Sequence, residues 1–363
     1  SIEVYEDLNK KKTDRYEYIY PNFNYEKNLY LENEMRGDLV FNTKGYQKNY
    51  NTNINEVVFA NDLKYSSFPK NNSTIDGLQT NYKLLLRNLN SDSENSTKFK
   101  KGEDYKLLSS VMYESKWPLI KKNKNNSQYL TPKILAMYSP NSTKNNANLN
   151  KNLSYESIYS FDRIDGEAVE GGESLTWGVE YFLRNKKQEN ILGLSVANVL
   201  RFNENKDLPK IYGMSEKRSD FIGNLEYIPS KFFDINYQFS VDKNFDRSNY
   251  NLVETNFNVN NFVTSFEFLE EDNYLNENSY LKNKTKLSLN ERNSIEFGTS
   301  KNLDQNITNY YNLIYQYEND CLTAAIEYNK SNYTDGSLKP EENILFSIKI
   351  IPFGKIISPS IIK

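Results

Sequence analysis

The stretch Phe233-Asp234-Ile235-Asn236-Tyr237-Gln238-Phe239-Ser240-Val241-Asp242 alternates apolar and polar side chains without a break. Successive side chains of a strand point to opposite sides, so this segment has one apolar face and one wet face. The pattern recurs along most of the chain, with Asn, Asp, Gly and Ser turns between the runs. Leu175, Trp177, Val179, Tyr181 and Leu183 share one face, opposite Thr176, Gly178 and Glu180. Ile344, Phe346, Ile348 and Ile350 oppose Ser347 and Lys349 in the same way. Such repetition predicts an all-β fold, an antiparallel transmembrane β-barrel of the outer-membrane type with lipid outside and water inside.

The period-two runs number roughly 16 to 18 on the usual strand criteria. They extend from Tyr16–Lys27 to Glu342–Ile351, interrupted by an irregular polar segment at Pro140–Gly172. Most are near the roughly 9–11 residues that a tilted strand needs to cross a bilayer. Pro229-Ser230-Lys231 and Asn290-Glu291-Arg292 read as tight turns, whereas Asn203–Ser215 and Asn332–Pro340 read as long polar loops. Short connections on one rim and long ones on the other are a barrel's signature. A soluble sandwich has similar connections at both ends, and a β-solenoid has a fixed repeat that is not seen here. Pro21 and Pro132 fall inside strand runs; lacking an N–H, each marks a strand start, a bulge or a gap in pairing.

Mean hydropathy is −0.78 and 26% of residues are charged, too polar for a helical membrane protein. A barrel escapes the objection because half of each strand faces water. Aromatic residues, 14% of the chain, suit interfacial girdles, although AT-rich coding explains part of the Tyr and Asn content. The net charge of −3 gives no sign of a nucleic-acid partner. One Cys and no His remove the Ser-His-Asp and Cys-His devices and the common His metal sites. Catalysis by carboxylates alone stays open, but no paired-carboxylate site stands out, and neither an enzyme nor a cofactor is expected. The chain starts at Ser1 without a leader, which predicts a removed signal or an excerpt of a longer protein.

Two segments go beyond a generic barrel. One is Phe161-Asp162-Arg163-Ile164-Asp165-Gly166, followed by Gly171-Gly172-Glu173-Ser174-Leu175-Thr176-Trp177-Gly178. The other is Tyr315-Gln316-Tyr317-Glu318-Asn319-Asp320-Cys321, leading to Ile348-Lys349-Ile350. Together with Tyr20-Pro21-Asn22-Phe23 and Leu130-Thr131-Pro132, they resemble in order the C-terminal barrel region of the LptD family, the LPS-assembly or organic solvent tolerance proteins. The acidic residue before the cysteine is similar to alphaproteobacterial members. The chain departs from the family in lacking an aligned final aromatic.

The resemblance implies that residues 1–363 are one C-terminal barrel domain, with a jelly roll and the first barrel strands upstream. It implies the cell outer membrane of a Gram-negative bacterium and a translocon component that inserts lipopolysaccharide into the outer leaflet. The implied partners are lipopolysaccharide, a plug lipoprotein like LptE, a periplasmic bridge protein like LptA and outer-membrane lipids. The alternative is a porin or substrate-specific channel. By resemblance, Cys321 forms a disulfide with the absent N-terminal domain; a reduced lumen-facing thiol is the other reading. The loop motif Asp162, Arg163, Asp165 and Gly166, with Glu167, either folds inward through bidentate Arg–carboxylate pairing or stays solvated. Asp234, Asn236, Gln238, Asp242, Glu254, Asn256, Glu327 and Lys349 are expected to line the lumen. That wet lining suits a saccharide path and a general porin equally.

Overall fold

The computed structural model describes residues 1–7, 15–29, 36–50, 54–96, 99–144, 146–147, 149, 151–164, 169–272, 277–332 and 339–350, and the backbone of 354–357. Among them are twenty-one strands and two single turns of 3-10 helix, Ser157–Tyr159 and Ile211–Gly213. No helix among the described residues is long and apolar enough to cross a membrane. The chain divides into two compact units.

Unit 1 comprises Ser1–Ile120, Tyr129–Glu180 and Val196–Asp220. Its strands are β1 (Glu3–Glu6), β2 (Tyr16–Leu29), β3 (Gly37–Tyr50), β4 (Asn55–Ser67), β5 (Lys70–Asn71), β6 (Gln79–Glu94) and β7 (Gly102–Lys116). β8 (Leu119–Lys122), β9 (Asn126–Ser139), β10 (Gly172–Asn185) and β11 (Asn190–Arg201) follow, each divided between the units. Pairing is antiparallel from β1 through β2, β3, β4, β6 and β7 to β9. Leu29, expected to open the second run, Leu29–Gln47, instead closes β2, where it faces Leu39 across the ladder. Pro21 sits within β2 at a register shift between Ile19 and Asn22, where a missing N–H costs no ladder bond. Pro132 lies one residue past the last β7–β9 pair, Lys116 and Lys133.

Unit 2 comprises Lys121–Gln128, Tyr181–Ser195 and Phe221–Lys363. It holds a run of antiparallel neighbours: β12 (Phe221–Ser230), β13 (Phe233–Val241), β14 (Ser248–Val259), β15 (Phe262–Asp272), β16 (Glu277–Ser288) and β17 (Asn293–Asn302). β18 (Ile307–Glu318), β19 (Leu322–Ser331), β20 (Glu341–Ile350) and β21 (Gly354–Ile357) complete it. Each strand pairs with the next.

The turns show why an asparagine-rich chain folds this way. Asn290 Oδ1 accepts from the backbone N–H groups of Arg292 and Asn293. Asn319 Oδ1 does the same for Cys321 and Leu322, and Asn185 Oδ1 for Lys187 and Glu189. A short amide that bonds the chain two to four residues on imitates a backbone turn. Asn260, in the tight β14–β15 connection, adopts φ 53°, a region Asn tolerates better than most residues.

Both units separate their side chains by face. In unit 2 the alternate positions Phe257, Phe266, Phe297, Leu313, Ile326 and Phe346 stand exposed. A contiguous apolar surface of this extent is foreign to a soluble monomer and suits lipid. In unit 1 Phe59, Leu84, Leu86, Val111, Tyr113 and Ile134 are exposed in the same way. There the opposite face is buried as well, including Val58, Leu85, Met112, Leu135 and Met137. The segment 140–171 brings its own buried Tyr155, Ile158, Tyr159 and Ile164.

Candidate functional site

The densest chemistry among the described residues lies in unit 1, where the segment between β9 and β10 is bonded to the strands. Arg163 is 2% exposed, and a guanidinium has five N–H donors. All five are used. Nε and Nη2 grip Glu170 bidentately at 2.7 Å each; Nη2 also donates to Ser174 Oγ at 2.8 Å. Nη1 donates to Thr176 Oγ1 at 2.8 Å and to the Ile158 carbonyl at 3.2 Å. Ser174 and Thr176 are alternate residues of β10 on its buried face, so the strand period presents both hydroxyls to one guanidinium.

Glu170 Oε1 also accepts from Arg201 Nη1, and Arg201 Nε donates to the Met214 carbonyl at 2.8 Å. One carboxylate thus ties the segments 158–170 and 201–214 together. Burial alone would raise the Glu170 carboxyl, but the Arg163 and Arg201 guanidiniums outweigh it and hold the group down to about 2. A buried carboxylate survives only with such partners.

A second anchor uses Asp162. Its Oδ2 accepts from Lys64 Nζ at 3.1 Å, and its Oδ1 lies 3.6 Å from Arg87 Nη2. Arg87, 1% exposed, is held bidentately by Asp62 at 2.6 Å through both carboxylate oxygens. Asp62 and Arg87 are direct partners in the β4–β6 register. A third anchor is Glu180 Oε1, which accepts from Lys133 Nζ at 2.7 Å and from Tyr155 OH at 3.1 Å. Lys133 Nζ also lies 4.8 Å from the Tyr159 ring centroid, in reach of a cation–π contact. Burial pushes both phenols up. The Tyr159 hydroxyl rests on Gly178, where a Cβ would stand 2.2 Å from it. The glycine two residues after Thr176 is therefore what lets the segment lie flat on β10.

Of the loop residues expected to act, Asp162 and Arg163 are brought to the strands, by separate partners. Asp165 and Gly166, with Glu167, lie outside the described residues. Glu170, Arg201, Asp62 and Arg87 were not anticipated. Asp62 and Arg87 stand on the mixed polar face of β4 and β6, with Glu56, Lys64, Lys83 and Ser91, where nothing along the chain singles them out before the register pairs them.

In unit 2 the register places Asp234, Asn236 and Gln238 on one face with Glu254 and Asn256. Asn256 Nδ2 donates to Asp234 at 2.8 Å, and Asn236 Nδ2 to Glu254 at 3.0 Å. Strand by strand the same face runs on to Glu267, Lys282, Ser300, Glu327 and Lys349. Leu252 and Leu269 interrupt it, opposite Gln238 and Tyr280. Asp242 sits elsewhere: it follows β13, and its Oδ1 accepts from the N–H groups of Asn244 and Asp246. It caps a turn because the strand ends at Val241. Cys321 is an exposed free thiol in the β18–β19 turn, at the same ends of the strands as the tight β12–β13 and β14–β15 turns.

No curated protein matches the sequence. Among solved structures, the siderophore receptor PirA from Acinetobacter baumannii is similar at 6% identity and a TM-score of 0.45, over 93% of this chain and 65% of that one. A mutant of the ferric enterobactin receptor PfeA from Pseudomonas aeruginosa is similar at 8% and 0.45, over 96% and 65%. A mutant of Rh. blastica porin is similar at 8% and 0.32, over 83% and 91%. The chain thus spans about two thirds of the length of the two receptors. The model of the LptD family, described as LPS transport system D, matches residues 2–307. Its members are transport components, and the fold class is the all-β, antiparallel outer-membrane barrel of Gram-negative bacteria. This chain belongs to the LptD family.

Proposed function

We propose that the chain supplies the membrane wall of a translocon that delivers lipopolysaccharide into the outer leaflet. What supports the reading is family membership over residues 2–307, together with a sheet whose faces divide into apolar and polar. The work is geometric. The exposed apolar face meets lipid, while the polar face carrying Asp234, Asn236, Gln238, Glu254, Asn256, Glu327 and Lys349 gives a saccharide head group hydrogen-bonding partners. The reading includes no bond-making step, and hence no enzyme activity. It includes a plug lipoprotein like LptE against the polar face and a bridge protein like LptA that delivers substrate from the periplasmic side.

Cys321 takes a structural part in this proposal. Its exposed thiol at the tight-turn end would pair with a cysteine of an upstream periplasmic domain, since export leads to an oxidising compartment. A non-reducing gel of the protein from cells would show a mobility change lost in Cys321→Ser.

The deciding experiment is depletion in the source organism. Newly made lipopolysaccharide should accumulate in the periplasm and vanish from the surface; normal surface lipopolysaccharide would sink the proposal. Single-channel recording separates the reading from a porin, which would conduct steadily.

A further inference from the structure

On the polar face of unit 2, strands β16–β20 enclose a groove of about 530 Å³, within the ~300–1,000 Å³ typical of small-molecule sites. Gly298 is one of its lining residues. A Cβ there would meet nothing closer than Asn312 Cβ at 3.8 Å, Tyr310 Cε2 at 3.9 Å and Asn312 Oδ1 at 4.0 Å. Gly298 lies directly between Lys284 and Asn312 in the ladder, so the missing side chain leaves a hollow among polar neighbours. Glycine weakens a strand interior and often marks a place where something approaches the backbone closely.

Three asparagines in direct register line the groove: Asn312 on β18, beside the hollow, Asn329 on β19 and Asn343 on β20. Their amides are chained. Asn312 Nδ2 donates to Asn329 Oδ1 at 2.5 Å and to Glu327 at 2.9 Å. Asn329 Nδ2 donates to Asn343 Oδ1 at 3.4 Å and to Glu327 at 3.0 Å. Asn343 Nδ2 ends the series on Glu341 at 3.1 Å. The donors that cross between strands run toward β20, and bonds aligned in series polarise one another. The series begins at Asn312 Oδ1, which accepts no hydrogen bond among the described residues and stands at the edge of the hollow. On the other side, Lys284 Nζ pairs with Glu296 at 2.9 Å, with Lys284 well exposed.

An open amide acceptor, a partly exposed cation and carboxylate, and the edge of a tyrosine ring surround one side-chain-sized void. A ring carrying several hydroxyls fits this set, because each hydroxyl both donates and accepts while the ring carbons pack on the aromatic surface. We infer that this groove is a saccharide-binding shelf that holds a hydroxyl-rich sugar of the transported glycolipid. The inference deepens the translocation reading and rests on it for the source of the sugar.

The test is isothermal titration of the full chain in lipid nanodiscs with deacylated lipopolysaccharide oligosaccharide. Variants are first checked for folding by heat-modifiable gel migration. The wild type should bind, and Gly298→Trp, which fills the hollow, should weaken binding at least tenfold. Asn312→Leu, which removes the acceptor without filling the hollow, should also weaken it. Phe297→Trp, on the opposite face, should leave binding unchanged. The shelf is overturned if the wild type does not bind, or if folded Gly298→Trp and Asn312→Leu both bind as the wild type does. Depletion reports separately on transport. A shelf that fails while surface lipopolysaccharide still depends on the protein leaves the translocon reading intact. A shelf that binds while depletion leaves surface lipopolysaccharide normal stands alone as a sugar site.

Discussion

Replacing Arg163 by Met keeps a long side chain and removes every guanidinium donor. Glu170 then keeps only Arg201, and the acceptors Ser174 Oγ, Thr176 Oγ1 and the Ile158 carbonyl lose their partner. Taking one member from a buried ion pair costs about 3–5 kcal/mol, which converts to roughly 100-fold to several thousand-fold in an equilibrium. All five bonds join the 158–170 segment to itself or to β10, so the loss falls on docking of that segment. Strand ladders should hardly register it. Hydrogen exchange in detergent micelles reads this directly at the Ile158 and Ser160 amides, bonded to Ser154 O and Ser157 O at 3.1 and 3.0 Å. Their protection should drop by at least about 100-fold, while amides in the β6–β7 ladder keep theirs. Arg163→Lys retains the charge but has three donors for five positions, and should give an intermediate loss. Unchanged protection at both amides in Arg163→Met would refute the idea that this guanidinium docks the segment.

Three further outcomes follow from the same geometry. The Glu170 carboxyl is held at about 2, below its ordinary 4.5. Its contribution, of order 3 kcal/mol, is therefore complete above about pH 4.5 and is lost as pH falls toward 2; exchange at Ile158 should accelerate in that window, and Glu170→Gln should abolish the dependence. Gly178→Ala drives a methyl onto the Tyr159 hydroxyl and the Val196 carbonyl, and should cost about 1–3 kcal/mol of overpacking. Tyr159→Phe removes the hydroxyl that this methyl would meet, and should restore part of the loss in the double variant, measured by urea titration. Phe297→Lys puts a charge on the exposed apolar face and should destabilise folding in phosphatidylcholine vesicles by about 2–4 kcal/mol if the site is near the bilayer midplane, with Asn312→Lys on the polar face costing far less.

Much of the strand order was legible because its causes are local. Period-two alternation depends only on neighbours along the chain, and the runs around Ile235, Val253 and Phe346 correspond to β13, β14 and β20. Asx turns at Asn290 and Asn319 likewise need only the next few residues. Legibility faded around Gln128–Ser139, where Ile134 and Tyr138 are exposed while Leu135 and Met137 are buried on the other face. The C-terminal part of that strand is apolar on both sides because one face is covered within unit 1, and alternation cannot report a covered face. Asp242 failed for a related reason: the polar–apolar pattern continues one residue past the strand.

The sequence by itself determined that this chain is a succession of antiparallel strands with one greasy and one wet face, and it placed the Asp162-Arg163 loop between two of them. Only the tertiary structure decided what the loop does. Arg163 passes over its neighbour Asp162 to grip Glu170, Glu170 reaches Arg201, and Asp62 meets Arg87 because the β4–β6 register sets them side by side. A buried guanidinium is governed by the geometry of acceptors within about 3 Å, and that proximity arises from register and folding back of the chain rather than from spacing along it.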